Sequence, residues 1–127
     1  MKHILCLLFF LSLTTVDLAA ATHNIKEYGA IGDGKHIDSP AINAAIEAAA
    51  QNGGGTVYIP AGKYACYSIR LKSHLTIYLE AGAEIIAAFP TQTEGYDEAE
   101  ENTHNLYQDF GHSHWKNSLM WGIGLED

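Results

Sequence analysis

From Val57 to Ile85 apolar residues recur at every second position in short bursts: Val57 and Ile59, Ile69 and Leu71, then Leu75, Ile77 and Leu79, and finally Ile85. A period of two places one face of each burst in a core and the other in water, the pattern of half-buried strands. Pro60-Ala61-Gly62, Lys72-Ser73-His74 and Glu80-Ala81-Gly82-Ala83 separate the bursts as turns. None is the Asn-Gly or Asp-Gly pair that two-residue hairpins favour. Two architectures therefore fit, an antiparallel meander or the coils of a parallel β-helix, and the turn chemistry tilts towards the coil.

One segment switches to the helical period. Ile42, Ala45, Ile46 and Ala49 form a single apolar stripe, with the i, i+3, i+4, i+7 spacing of an amphipathic helix. Ser39 reads as its N-cap, Pro40 as its first helical residue and Gly53, just beyond Asn52, as its left-handed stop. A stripe this narrow and alanine-rich suits a helix lying close against a flat surface, such as a sheet face or the open end of a stacked core. Ahead of it, His23–Tyr28 reads as a short first strand, and Gly29-Ala30-Ile31-Gly32-Asp33-Gly34 as a loop. Glycine-rich loops can cradle phosphate. The Gly-x-x-Gly-x-Gly spacing and the missing Lys-Ser/Thr pair make this one a turn instead. Beyond Phe89, residues 91–101 are acidic and aperiodic, an exposed loop. Asn117–Ile123 reads as a further strand.

The amino end has a different character. Met1-Lys2-His3 is basic, Ile4–Leu13 is apolar, and Ala19-Ala20-Ala21 offers a small-residue cleavage site. That is the layout of a secretory signal peptide, and the apolar run is about half the ~20 residues a membrane span requires. Residues 1–21 are thus expected to be a cleaved signal and 22–127 one domain of a secreted or periplasmic protein. The 127 residues carry a formal charge of −8. An acidic surface argues against nucleic acid and anionic membranes as partners.

Candidate chemistry is sparse. With Cys6 in the signal, Cys66 is alone, inside the strand-like run Tyr64–Ile69; it reads as a small buried hydrophobe rather than a nucleophile. His112 and His114 could place two imidazoles on one side of a strand, but a metal needs further ligands in defined geometry. Glu94, Asp97, Glu98, Glu100 and Glu101 lack the alternation and turn glycine of a calcium loop. As exposed carboxylates, Glu100 and Glu101 are poor general acids or bases. No catalytic, cofactor-binding or metal residue is assigned, and no cofactor is expected.

Several motifs together resemble a known family: Tyr28-Gly29-Ala30 with Gly32-Asp33-Gly34, Ala44-Ala45-Ile46, the run Gly53–Tyr64, and Leu71–Ala83. From about Ile25 the chain resembles the N-terminal part of polygalacturonases, the glycoside hydrolase family 28 enzymes of the pectin-lyase-like group; Tyr107–Trp115 resembles bacterial members in particular. The resemblance implies an all-β fold, a right-handed parallel β-helix, with the helix capping the open end of the core. It also implies inverting hydrolysis of galacturonic-acid-containing pectic polysaccharide by two carboxylates set ~6.5–9.5 Å apart. The family's catalytic signatures, Asn-x-Asp, Asp-Asp and Gly-His-Gly, are absent: Gly111-His112 is followed by Ser113. Arg70-Leu71-Lys72 fits the family's Arg-x-Lys but precedes the acidic motifs it should come after, so Arg70 and Lys72 read as solvent-facing charges flanking a buried Leu71. The chain is thus expected to be the leading, catalytically silent piece of a longer enzyme. A pectate-lyase-like eliminase or epimerase, or a non-catalytic β-helix adhesin or carbohydrate-binding protein, remain the alternatives.

Overall fold

A computed structural model describes residues 21–100 and 116–126. The expected signal peptide, apart from Ala21, and the Tyr107–Trp115 segment with His112 and His114 lie outside them. In chain order the elements are β1 (Thr22–Asn24), a 3₁₀ turn (Ile25–Tyr28), β2 (Asp33–Ile37), α1 (Ser39–Gln51), β3 (Gly55–Ile59), β4 (Gly62–Cys66), β5 (Ile69–Arg70), β6 (Leu75–Leu79), β7 (Ala83–Ala87) and β8 (Met120–Trp121). They pair in three sheets, β1-β3-β6, β2-β4-β7 and β5-β8, and every pairing is parallel. Sequence neighbours never pair; each strand pairs with one a full coil away. This is a parallel β-helix, and the antiparallel meander is excluded.

The alternation seen in the sequence becomes a stack of like side chains. Val57 lies over Ile77, Ile59 over Leu79 and Tyr64 over Ile85, with Val57, Ile59, Tyr64, Cys66 and Ile69 fully buried. Outside, Tyr58 and Tyr78 stack at 5.8 Å. Ile42, Ala45, Ile46 and Ala49 of α1 are buried over the first coil, so the helix closes the core as its stripe predicted.

Asn43 shows how the cap replaces a missing strand. β5 has β8 on one side, and on the other the Asn43 amide stands in for a neighbour. Its Nδ2 donates to the Ser68 carbonyl (2.9 Å) and its Oδ1 accepts from the Arg70 N–H (2.8 Å). A side-chain amide reproduces the donor–acceptor pair of a backbone peptide, so the strand edge is satisfied without a ladder.

Local boundaries differ from the sequence reading in four places. Ser39 is the first residue of α1, not its cap; Asp38 precedes the helix, and the Ser39 hydroxyl accepts from the Tyr67 N–H (3.2 Å). Of the expected first strand, His23–Tyr28, only His23 and Asn24 are extended, within β1, because Asn24 Oδ1 accepts from the Lys26 N–H and turns the chain into the 3₁₀ segment. β2 is not legible in the sequence, since Asp33-Gly34-Lys35-His36-Ile37 has no apolar alternation and is held by pairing with β4. The expected strand over Asn117–Ile123 is reduced to Met120–Trp121. The helix stop is as expected: Gly53 is left-handed (φ 84°), its N–H reaches the Ala50 carbonyl and that of Gly54 the Ala49 carbonyl, a Schellman closure.

Candidate functional site

The chemistry-bearing side chains converge on the outer surface of the β5–β8 sheet. Register places Arg70 beside Trp121, and the chain between β7 and β8 returns to this surface at Asp97. The Asp97 carboxylate accepts from Arg70 Nε (2.8 Å) and Nη2 (2.5 Å) and from Trp121 Nε1 (2.8 Å). Its backbone is held as well: the Asp97 N–H donates to Ser68 Oγ (2.9 Å), and Asn117 Nδ2 donates to the Asp97 carbonyl (3.1 Å). Ser68, itself buried, donates its hydroxyl to the Ser118 carbonyl (2.8 Å). Two coils and the excursion between them are thus tied at one point.

The sequence reading makes Arg70 a solvent-facing charge. Its guanidinium is indeed half-exposed, but it is locked on Asp97, a bidentate geometry that fixes its plane. Lys72 pairs with Glu47 at 3.3 Å, and Leu71 is half-buried rather than buried. Asp97 is expected in a solvated acidic loop. The correction is physical: Glu94 and Glu98 are exposed as expected, while Asp97 is drawn to Arg70 and the indole N–H. Nothing in the sequence distinguishes it from its acidic neighbours.

The Arg70 guanidinium holds the Asp97 carboxyl below the usual carboxylate value, against the opposing effect of partial burial, with the Trp121 N–H assisting. The same pair raises Arg70. A depressed folded pKa gives stability that is present above the unfolded value of about 3.9 and is lost as pH falls through the lower folded value. Acidification below about pH 4 should therefore release the excursion from β5–β8. Fluorescence of Trp121, followed in a Trp115→Phe background, should titrate in this range, and Asp97→Asn should abolish the titration. The stability involved is on the order of 1 kcal/mol, because the pair is partly solvated.

Two cavities flank Arg70. The larger, about 960 Å³, lies between β2, the first turn of α1 and the excursion, with Lys35, His36, Tyr67 and Glu94 among its walls. The smaller, about 510 Å³, is walled by Glu47, Lys72, Trp121 and Ile123. Asn43 and Arg70 line both. Elsewhere the sequence-based candidates prove structural. Cys66 is fully buried, and burial pushes its thiol up to about 12, far from a nucleophile's range. The N–H groups of Ile31 and Gly32, which a phosphate would use, both donate to buried Asp38 (2.7 and 2.9 Å). Among the described residues no three His, Cys, Asp or Glu side chains gather as a metal site would require.

A family model described as "Rhamnogalacturonase A/epimerase, pectate lyase-like" matches residues 22–117. The chain is 60% identical over 49 residues to the mannuronan C5-epimerase AlgE3 of Azotobacter vinelandii, covering 39% of this chain and 3% of the epimerase. It is 51% identical over 65 residues to the plasmin and fibronectin-binding protein A of Streptococcus pneumoniae, covering 50% of this chain and 9% of that protein. Among solved structures, a family 28 exopolygalacturonase of Yersinia enterocolitica superposes with a TM-score of 0.61 at 29% identity, covering 85% of this chain and 18% of that enzyme. The chain therefore spans only a small part of the length of these relatives.

Proposed function

Because the chain belongs to the rhamnogalacturonase A/epimerase, pectate lyase-like family, we propose that it forms the cap and first coils of an exported β-helix enzyme of the polygalacturonase type, which hydrolyses galacturonic-acid-containing pectin with inversion. The observation that carries this reading is extent. Structural likeness to the exopolygalacturonase covers 85% of the chain with a TM-score of 0.61, whereas that to the streptococcal protein covers 56% with a TM-score of 0.52. The wider structural likeness favours the hydrolase.

Inversion requires a protonated carboxyl and a separate carboxylate that activates water. Asp97, the carboxylate at the centre of this surface, accepts three N–H bonds from Arg70 and Trp121, which suits it to anchoring rather than proton transfer. The acid and base are accordingly assigned to other coils of the enzyme, and the chain is assigned to closing the core end. The test is a comparison of products. The protein that carries this chain in front of further coils should release reducing ends from polygalacturonate, with the inverted anomer formed first by NMR. The 127-residue chain should release none. An unsaturated product absorbing in the ultraviolet, or epimerised polymer without new reducing ends, would replace hydrolysis by the eliminase or epimerase reading.

A further inference from the structure

We propose that Tyr58 and Tyr78 form an oxidative cross-linking site, at which a haem peroxidase fed by hydrogen peroxide joins the two rings as dityrosine and ties one coil covalently to the next. The proposal is independent of the polysaccharide reading and of any hydrolytic chemistry.

A repeat in the chain brings the two phenols together. Thr56-Val57-Tyr58-Ile59 and Thr76-Ile77-Tyr78-Leu79 share one pattern, and β3 and β6 pair in parallel with these residues opposite one another. Val57 and Ile77 belong to the core, so Tyr58 and Tyr78 stand outside it, on strands ~4.8 Å apart. Their rings stack with centroids 5.8 Å apart and 21° between planes. Tyr78 is 54% exposed. Its ring therefore turns about χ1 and χ2 in solvent while the ladder holds both Cα atoms, and a carbon ortho to its hydroxyl reaches its counterpart on Tyr58 without opening the coil.

In the coupling each phenol gives up one electron and one proton. The two ring radicals form one bond between ortho carbons, and the hydrogens on those carbons move to the phenolic oxygens. Hydrogen peroxide takes up the two electrons and two protons and leaves as two waters. Loss of a phenolic proton along with the electron calls for a base already in place, and Tyr58 has one. Its hydroxyl donates towards the Glu80 carboxylate, an interaction that holds the phenol above its ordinary value. Glu80 is held below the usual carboxylate value, by the Ala61 N–H (2.9 Å) and then by this hydroxyl. It is therefore ionised at neutral pH and able to take the proton.

The other tyrosines among the described residues lack one part of this arrangement or another. Tyr67 and Tyr96 are as close, at 5.6 Å, but meet edge to face at 72°. Tyr67 is buried, and the two hydroxyls donate to the Phe89 and Ala88 carbonyls, which accept a hydrogen bond but do not take a proton. Tyr64 is fully buried with its hydroxyl on the Pro60 carbonyl. Tyr28 has a base, His23 Nδ1 at 2.7 Å, but its ring neighbour is that imidazole rather than a second phenol. Stacking alone would be served as well by phenylalanine; the exposed phenol pair beside a carboxylate is what makes Tyr58 and Tyr78 chemically distinct.

The test applies a haem peroxidase and hydrogen peroxide to the dilute 127-residue chain, with dityrosine fluorescence and mass spectrometry of the digested monomer as readouts. The expected main product is a linked peptide pair carrying Tyr58 and Tyr78, lighter than its parts by two hydrogens. Tyr78→Phe, which keeps the ring and the stack, should abolish it, and unfolding in urea before oxidation should remove most of it. Glu80→Gln, with its fold checked by far-UV circular dichroism, should slow the coupling at least about tenfold; a positioned base typically contributes ~10²–10⁴-fold, and buffer replaces part of that. Coupling found only between molecules, a main product through other tyrosines, an equal yield from the unfolded chain, or a smaller effect of Glu80→Gln overturns the proposal.

Discussion

Gly54→Ala is expected to lower stability by about 3–5 kcal/mol, in the long tail of point substitutions, and Gly53→Ala, one residue earlier, by only about 1–2 kcal/mol. Both glycines lie at positive φ, 84° at Gly53 and 115° at Gly54, so each substitution carries a backbone penalty. They differ in what a methyl group would meet. A Cβ at Gly53 finds open space, whereas at Gly54 it would lie 2.5 Å from the His74 carbonyl oxygen. That carbonyl belongs to the next coil and accepts from the Gly55 N–H, so it can retreat only by opening the stack. Urea denaturation of the two variants beside the parent chain measures the difference. Equal midpoints would show that coil spacing at this corner is not set by the glycine. Against a total of about 5–15 kcal/mol for a typical domain, the larger loss would leave a poorly populated fold.

The same corner shows what the sequence can and cannot reveal. The Gly53-Gly54-Gly55 run is legible as a helix stop leading into a strand because its chemistry is local. The apolar alternation of β3 and β6 is equally legible, since burial on one face leaves a period of two. Whatever depends on a distant partner is not. β2 is strand only because β4 lies beside it. Ser39 reads as a helix cap by residue type, but Tyr67, 28 residues on, takes its hydroxyl. Asp97 is indistinguishable from Glu94 or Glu98 until Arg70 and Ser68 of one coil and Trp121 of the next are brought to it. The Arg-x-Lys spacing marks Arg70 in the sequence, and its place ahead of the acidic motifs reads it as solvent-facing. Its half-exposure agrees with that reading, and its bidentate hold on Asp97 goes beyond it. In a β-helix the lateral neighbours are one coil apart, so a site drawn from its surface leaves no compact motif in the chain.

Asp38→Ala and Asp38→Asn should be nearly equally damaging, each costing about 3 kcal/mol, although one keeps the side-chain shape and the other does not. Asp38 is fully buried, and its two carboxylate oxygens accept from the Ile31 and Gly32 N–H groups at 2.7 and 2.9 Å. This bond pair folds the glycine loop back against the helix start and stands where an external anion would otherwise be bound. Alanine leaves two donors without partners, at about 1–3 kcal/mol for each that stays buried. Asparagine keeps one acceptor and turns its NH₂ towards the other N–H, so one bond is lost and two donors face each other. The usual ranking, in which the isosteric amide is the mild substitution, should therefore collapse at this position. Thermal denaturation of the two variants is the direct measurement. A retained native midpoint for Asp38→Asn would mean that one accepted bond suffices, and that the loop is held instead by packing of Tyr64 against Gly32, where an added Cβ would lie only 2.8 Å from the ring.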